Sequence, residues 1–223
     1  MTSTISAAAP KKYGYVPPTF PRDPAEVNQF AEHIVLGQIL EPMVDTDKMG
    51  NVTPGLAESW TFEDKGLTIK FKIRKDRVFS NGKKLEAKDI KYTIDRVIQK
   101  KSQSSNFLGS ISSIEAPASD ALIIRLKEPN VSILKALSRD QAGVVPVDWS
   151  FDKDSSEPLV GSGPYRLLKK GANWNLEVNE KYPKAAAISI REWQLVFFGD
   201  HDLNVPAVGL PDYVPGATLS TKT

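Results

Sequence analysis

The chain contains no cysteine and only two histidines, His33 and His201. Disulfide scaffolds, thiolate zinc sites and cysteine nucleophiles are excluded outright. No apolar run approaches the roughly 20 residues that span a bilayer. The N-terminus Met1-Thr-Ser-Thr-Ile-Ser-Ala-Ala-Ala-Pro10 lacks the basic and long apolar regions of a secretory signal. Charge of one sign is also missing. The 29 Lys and Arg nearly balance the 27 Asp and Glu, leaving a net +2 with no basic block. Such a balance provides no field to draw nucleic acid or acidic lipid. With 223 residues, 40% of them hydrophobic, the chain can bury one large domain or two small ones.

The catalytic motifs are absent too. There is no G-x-S-x-G, no H-E-x-x-H and no P-loop, so the chain reads as a non-enzyme. Gly161-Ser-Gly-Pro-Tyr165 has loop-like glycines but lacks the Lys-Ser/Thr ending and the helix that phosphate binding needs. Its glycines read as a tight turn entering a strand. His201 lies between Asp200 and Asp202, but adjacent strand residues point to opposite faces, so a solvated turn is the better reading than a metal site. No metal and no cofactor are expected.

What is present is short strands mixed with a few helices. Residues 1 to 20 are rich in small residues and proline and read as an extended or disordered leader. Glu32 to Leu40 has a helical pattern, with Ile34, Val35 and Ile39 facing inward. Leu67, Ile69, Phe71 and Ile73 alternate with polar residues, which predicts a half-buried strand. The turn Asp64-Lys65-Gly66 pairs it with Ser59 to Phe62. Asn81-Gly82 marks another turn. Ala87 to Lys101 is the clearest helix, since Ile90, Ile94, Val97 and Ile98 form one face. Glu86 stands at its N-cap. A strand at Ala121–Leu126, a short helix at Val131–Leu137, a loop-rich stretch over 141–160, a hairpin from Arg166 to Val178 and a strand over Ile188–Phe198 complete the pattern. Without regular β-α-β alternation the fold class is α+β.

Several of these segments carry a family pattern. Pro54, Leu56, Ala57, Glu58 and Trp60, then Ile73 and Arg74, then Phe79 and Gly82, follow the order G-x-x-x-P-x-L-A-E-x-W, L-R and F-x-D-G. Gly161-Ser-Gly-Pro-Tyr165, Glu177-Val-Asn179 with Tyr182, and Gly209-Leu-Pro-Asp212-Tyr-Val-Pro215 are similar to G-T-G-P-Y, E-x-N-x-x-Y and G-E-I-D-Y-V-P. Leu210 and Pro211 depart from the last of these. The series resembles the extracytoplasmic solute-binding proteins of family 5, the oligopeptide-, dipeptide- and nickel-binding proteins of ABC importers.

The resemblance implies the first lobe of a two-lobed, type II periplasmic-binding-protein-like fold. It places a leader at 1–20, the N-terminal lobe at 21–200 and a crossover at 201–223 leading to a second lobe that this chain does not reach. It implies capture of a peptide or other small solute, presentation to an ABC permease, and a place in the periplasm or on the extracellular surface. No nucleic-acid partner and no membrane span of its own are implied. By position in that family, Asn28, Gln29 and Phe30 border the ligand cleft, and Asn106 and Phe107 reach the ligand after the long helix. The alternative is a sensory or protein-interaction domain that reuses the lobe without transport. Leu-Ala-Glu-Ser-Trp60 reads as structural. Glu58 is expected to pair with a basic group such as Arg74, and loss of a buried Trp60 to cost roughly 3–5 kcal/mol.

Overall fold

The computed structural model describes residues 11–15, 23–27, 30–101, 103–149, 159–171 and 173–197. Its strands are β1 (Lys11–Tyr15), β2 (Val44–Thr46), β3 (Val52–Pro54), β4 (Ala57–Glu63), β5 (Thr68–Ile73), β6 (Ile111–Ala118), β7 (Ala121–Leu126), β8 (Tyr165–Lys170), β9 (Asn173–Val178) and β10 (Glu192–Phe197). The α-helices are α1 (Phe30–Ile39), α2 (Ala87–Gln99) and α3 (Ile133–Leu137). One sheet has the order β4-β5-β7-β6, a second β1-β10-β9-β8, and β2-β3 form a small ribbon. This is the α+β class expected.

Each large sheet closes its own core. The first packs Ile69, Phe71 and Ile73 of β5 with Leu122 and Ile124 of β7 against Ile90, Ile94 and Val97 of α2. The second packs Val35, Leu36 and Ile39 of α1 against Leu167 of β8 and Trp174 and Leu176 of β9. The α2 stripe at 90, 94 and 97 is therefore the buried face read from its period. Its N-terminus is closed by Asp89, whose Oδ2 accepts from the Glu86 N–H at 2.9 Å. The other Asp89 oxygen accepts from the Val147 N–H at 2.8 Å, pinning the loop after α3.

The β4–β5 hairpin forms as expected, with Trp60 opposite Phe71 and Phe62 opposite Ile69. Its turn holds Asp64, Lys65 and Gly66 at φ of 50°, 57° and 90°. Leu67 departs from the alternation. Its backbone is still helical at φ −84°, ψ −19°, so its side chain leaves the core face and is 36% exposed. Glu58 does not reach Arg74. A bulge between Ala57 and Ser59 shifts the register. Glu58 pairs with Lys72, while Arg74 Nε donates to the Gly55 carbonyl at 2.8 Å. Trp60 is only partly buried, with its ring 6.4 Å from that of Phe71 at 41°.

Other differences follow from packing that periodicity does not report. Ile111–Ala118 is a strand, although Ser112, Ser113 and Pro117 obscure its pattern. The last strand begins at Glu192, because Ala185–Ala187 forms a 3-10 turn and the chain from Ile188 to Arg191 links it to the strand. Lys11–Tyr15, within the leader, is a strand paired in parallel with β10. Gly161 and Gly163 do not serve a left-handed turn. A Cβ at Gly161 would stand 2.0 Å from the Ile39 carbonyl oxygen, and one at Gly163 2.7 Å from the Ile39 carbonyl carbon. Glycine is needed there because two backbones touch.

A polar pair lies near this contact. Glu41 and Arg77 have side chains 13% and 14% exposed, with Arg77 Nε 3.3 Å from Glu41 Oε1. Arg77 Nη1 also reaches Asp76 Oδ2 at 2.9 Å. Glu41 Oε2 is buried, with no more than a loose contact to the Ser162 hydroxyl among the described residues. Burial pushes the Glu41 carboxyl above its ordinary value, and Arg77 offsets only part of that.

Three outcomes are expected. Trp60→Ala should cost about 2 kcal/mol in urea unfolding, below the range for full burial, because part of the ring is already wet. Gly161→Ala should cost at least the ~3 kcal/mol upper end of overpacking, since the clash is with backbone; a loss below about 1 kcal/mol would show that the two backbones can separate. Glu41, with its folded pKa raised, contributes stability that is complete below the unfolded value near 4.5 and is lost as pH rises through the folded value. Melting curves of wild type and Glu41→Gln across that window should therefore diverge, the glutamine variant holding its Tm as the wild type declines. Parallel curves would show that Glu41 titrates as an exposed carboxylate does.

Candidate functional site

An exposed aromatic ring and a cation come together from the chain segments after α2 and α3, next to a contact from His33 of α1. After α2 comes the 3-10 stretch Gln103–Leu108, and after α3 the 3-10 turn Asp140–Ala142. The sequence pattern assigns no element to the first, and the second overlaps the loop-rich stretch over 141–160; both are held by the larger elements they follow. Leu108 at the end of the first is 2% exposed and anchors it in the first core. Asn106 and Phe107, immediately before it, are exposed, Phe107 by 45%. Phe107 is therefore not an ordinary core phenylalanine.

Arg139 stacks on this ring, its guanidinium carbon 4.1 Å from the ring centroid. Its Nε donates to Gln141 Oε1 at 3.2 Å. The next residue, Asp140, accepts from His33 on α1, with Oδ2 2.6 Å from Nδ1. The other imidazole nitrogen lies 3.4 Å from the Gln141 amide nitrogen. A histidine protonated on Nδ1 satisfies both contacts, because a carboxylate only accepts and an amide N–H donates. His33 is thus a strut between α1 and the Asp140 turn. An exposed aromatic face bearing a planar cation can hold a ligand in two ways. The ring covers apolar or planar groups, and a guanidinium can take a carboxylate through two parallel hydrogen bonds.

Of the residues expected to border the cleft, Asn106 and Phe107 are side by side and exposed. Phe30 is the first residue of α1, which puts its backbone at the same end of that helix as His33. Asn28 and Gln29 lie outside the described residues, as do His201 with its neighbouring aspartates and the segment Gly209–Pro215. Arg139 and Asp140 were not singled out from sequence. They fall in an aperiodic stretch, and the contact from His33 to Asp140 spans 107 positions. Among the described residues, no three His, Asp or Glu side chains gather as metal ligands would. No helix among them is long and apolar enough to cross a membrane. A depression of about 390 Å³ near the start of α2 is lined by Lys83, Lys84 and Lys88 with Glu86 and Asp148. Lys83 pairs with Asp148 and Lys88 with Glu86, so it reads as a solvated set of ion pairs.

Known proteins resemble this chain in sequence and in fold. A putative ABC transporter peptide-binding protein of Brucella ovis is 30% identical over 148 residues, covering 62% of this chain and 28% of that protein. The oligopeptide-binding protein AliB of Streptococcus pneumoniae is 36% identical over 76 residues, 32% of this chain and 11% of that protein. Among solved structures, the binding protein AgaA of A. tumefaciens R10 in complex with agropinic acid superposes with a TM-score of 0.75 at 22% identity, over 85% of this chain and 40% of that one. The substrate-binding domain of an oligopeptide ABC transporter from Bacillus anthracis gives 0.71 at 22% identity, over 84% and 41%. At such identities the structures establish the fold, a part of the two-lobed type II architecture. The chain spans about 28% of the length of the first of these curated relatives and about 40% of the solved chains. The model of the bacterial extracellular solute-binding proteins, family 5 (middle region), matches residues 51–201, well over half of the chain. The chain belongs to that family.

Proposed function

We propose that this chain supplies one jaw of a receptor that captures peptides outside the cytoplasmic membrane, in the periplasm or on the cell surface, and hands them to an ABC permease. The observation that carries the reading is the exposed Phe107–Arg139 platform beside the start of α1, on a lobe of the family 5 fold. A peptide offers what such a platform accepts, apolar side chains for the ring and carboxylates for the guanidinium. Asn106 supplies both a donor and an acceptor to peptide groups, and Asn28, Gln29 and Phe30 are further ligand contacts on this reading, by their position in the family pattern. Capture needs no chemistry. Two lobes close about a hinge, the ligand stabilises the closed form, and the permease recognises that form. The sensory or interaction alternative draws nothing from the relatives, whose names are those of transport proteins.

The test is calorimetric titration of the full-length protein with tri- to pentapeptides, first pooled and then resolved. Binding is expected for peptides bearing a carboxylate within reach of the platform. Phe107→Ala and Arg139→Met should each weaken it about tenfold, in line with one cation–π or charge-assisted contact of about 1.4 kcal/mol, with Tm nearly unchanged because both side chains are exposed. Full affinity in both variants would remove the platform from the site, and the absence of any peptide binding would remove peptides as the ligand.

A further inference from the structure

Asp23 is 2% exposed, and an aspartate so deeply buried needs partners. Its Oδ1 accepts from the Ala25 N–H at 3.0 Å, which fixes the 3-10 turn Pro24–Glu26. Its Oδ2 meets Nη2 of Arg96, and Lys100 Nζ lies 3.4 Å away. Lys100 also reaches Glu26 Oε1 at 2.7 Å. Arg96 and Lys100 are four residues apart, so they share one face at the C-terminal end of α2, where the helix dipole favours positive charge. The Asp23 and Arg96 side chains are 3% and 16% exposed, so solvent ions screen their attraction little.

The elements joined by this clamp are those that carry the platform. From Lys100 the chain runs directly into Gln103–Leu108, with Phe107 near its end. The Pro24–Glu26 turn packs against both Gln103–Leu108 and Asp140–Ala142, the turn that follows Arg139. Asp23 therefore fixes a turn that contacts both segments, and its ion pairs involve neither Phe107 nor Arg139.

We infer that the Asp23–Arg96–Lys100–Glu26 clamp is a positioning device: it sets the spacing between the segment after α2 and the turn after α3, and so holds Phe107 under Arg139. Its bearing on ligand binding rests on the reading above; the spacing itself does not. A group that only stabilised the fold would change the melting temperature and leave Phe107 where it is in the folded molecules.

The experiment places 4-fluorophenylalanine at position 107 of the full-length protein and reads its fluorine resonance well below Tm. Arg139→Met supplies the shift of a ring that has lost its cation. Asp23→Asn keeps an oxygen for the Ala25 amide but removes the charge. Lys100→Met is the milder variant, since that side chain is 39% exposed. Both should move the resonance toward the Arg139→Met position and broaden it, Asp23→Asn more. Lys91→Met, whose pair with Asp95 stays on α2, should leave it unmoved. Wild-type resonances in folded Asp23→Asn and Lys100→Met would overturn the inference. So would an Arg139→Met spectrum identical to wild type, because there would then be no stacked pair to position. A protein that binds no peptide would refute the proposed function without altering any of these spectra.

Discussion

A side chain cannot be added at Gly161 because the Ile39 carbonyl oxygen already occupies the space, 2.0 Å from where a Cβ would stand. That contact ties the last turn of α1 to the entry of the second sheet. The final carbonyls of a helix have no partner within it, and here the Gly163 N–H donates to the Ile39 carbonyl at 2.9 Å. The Asn179 side chain, 1% exposed, donates to the Gly163 carbonyl at 2.9 Å. The Ser80 N–H donates to the Gly161 carbonyl at 2.8 Å, bringing in the loop after β5. One short run of backbone therefore closes a helix end and draws the two cores together. Nearby, Leu40 lies so close to Gly143 that a Cβ there would approach Leu40 Cβ to 2.5 Å. Packing this tight transmits displacement instead of absorbing it.

Helix α1 is thus fixed at its C-terminal end, and the candidate site lies at its other end. Ten residues at 1.5 Å each span about 15 Å, a length over which a helix held at one end and strutted at the other stays straight. The His33–Asp140 strut links the N-terminal end to the turn below Arg139. The many ion pairs on the sheet surfaces, such as Lys70–Glu63, have side chains about half exposed and contribute little each. Among the charges held largely out of water, those at Asp23 and Glu41 lie on either side of α1 in the chain and join elements far apart in sequence.

Much of this lobe is legible in the sequence, and what is legible is local. The alternation of Ile69, Phe71 and Ile73 and the stripe Ile90, Ile94 and Val97 each report one buried face, and each face is buried. Leu67 marks the limit of periodicity: the alternation includes it, but the left-handed turn before it has not yet returned the backbone to a strand. Glu58 shows the same limit for pairing, because a bulge that leaves no trace in composition decides its partner. The glycines of Gly161-Ser-Gly-Pro-Tyr165 read as a turn entering a strand, and the strand does follow, but what requires glycine there is a clash with a helix more than a hundred residues earlier. Within the candidate site, Phe107 was reached by family resemblance. Arg139 carries no local signal, because its meaning comes from the ring beneath it.

A single lobe of this form presents a shallow site. Small-molecule sites bury most of their ligand's surface in a cleft, whereas a ring 45% exposed with one cation above it covers one side of a ligand at most. The translational and rotational freedom lost on capture must be offset whether one side or both are covered. On the proposed reading, affinity then depends on closure, and closure places a demand on this lobe: its contact groups must already be in position when the second surface arrives. A jaw whose Phe107 and Arg139 drifted independently would lose, in ordering them, part of what the second surface contributes. Fixing α1 through Ile39 and the elements around Asp23 through buried charge meets that demand with interactions set apart from the ligand-facing edge. The edge itself is then free to vary in chemistry without loosening the frame that holds it.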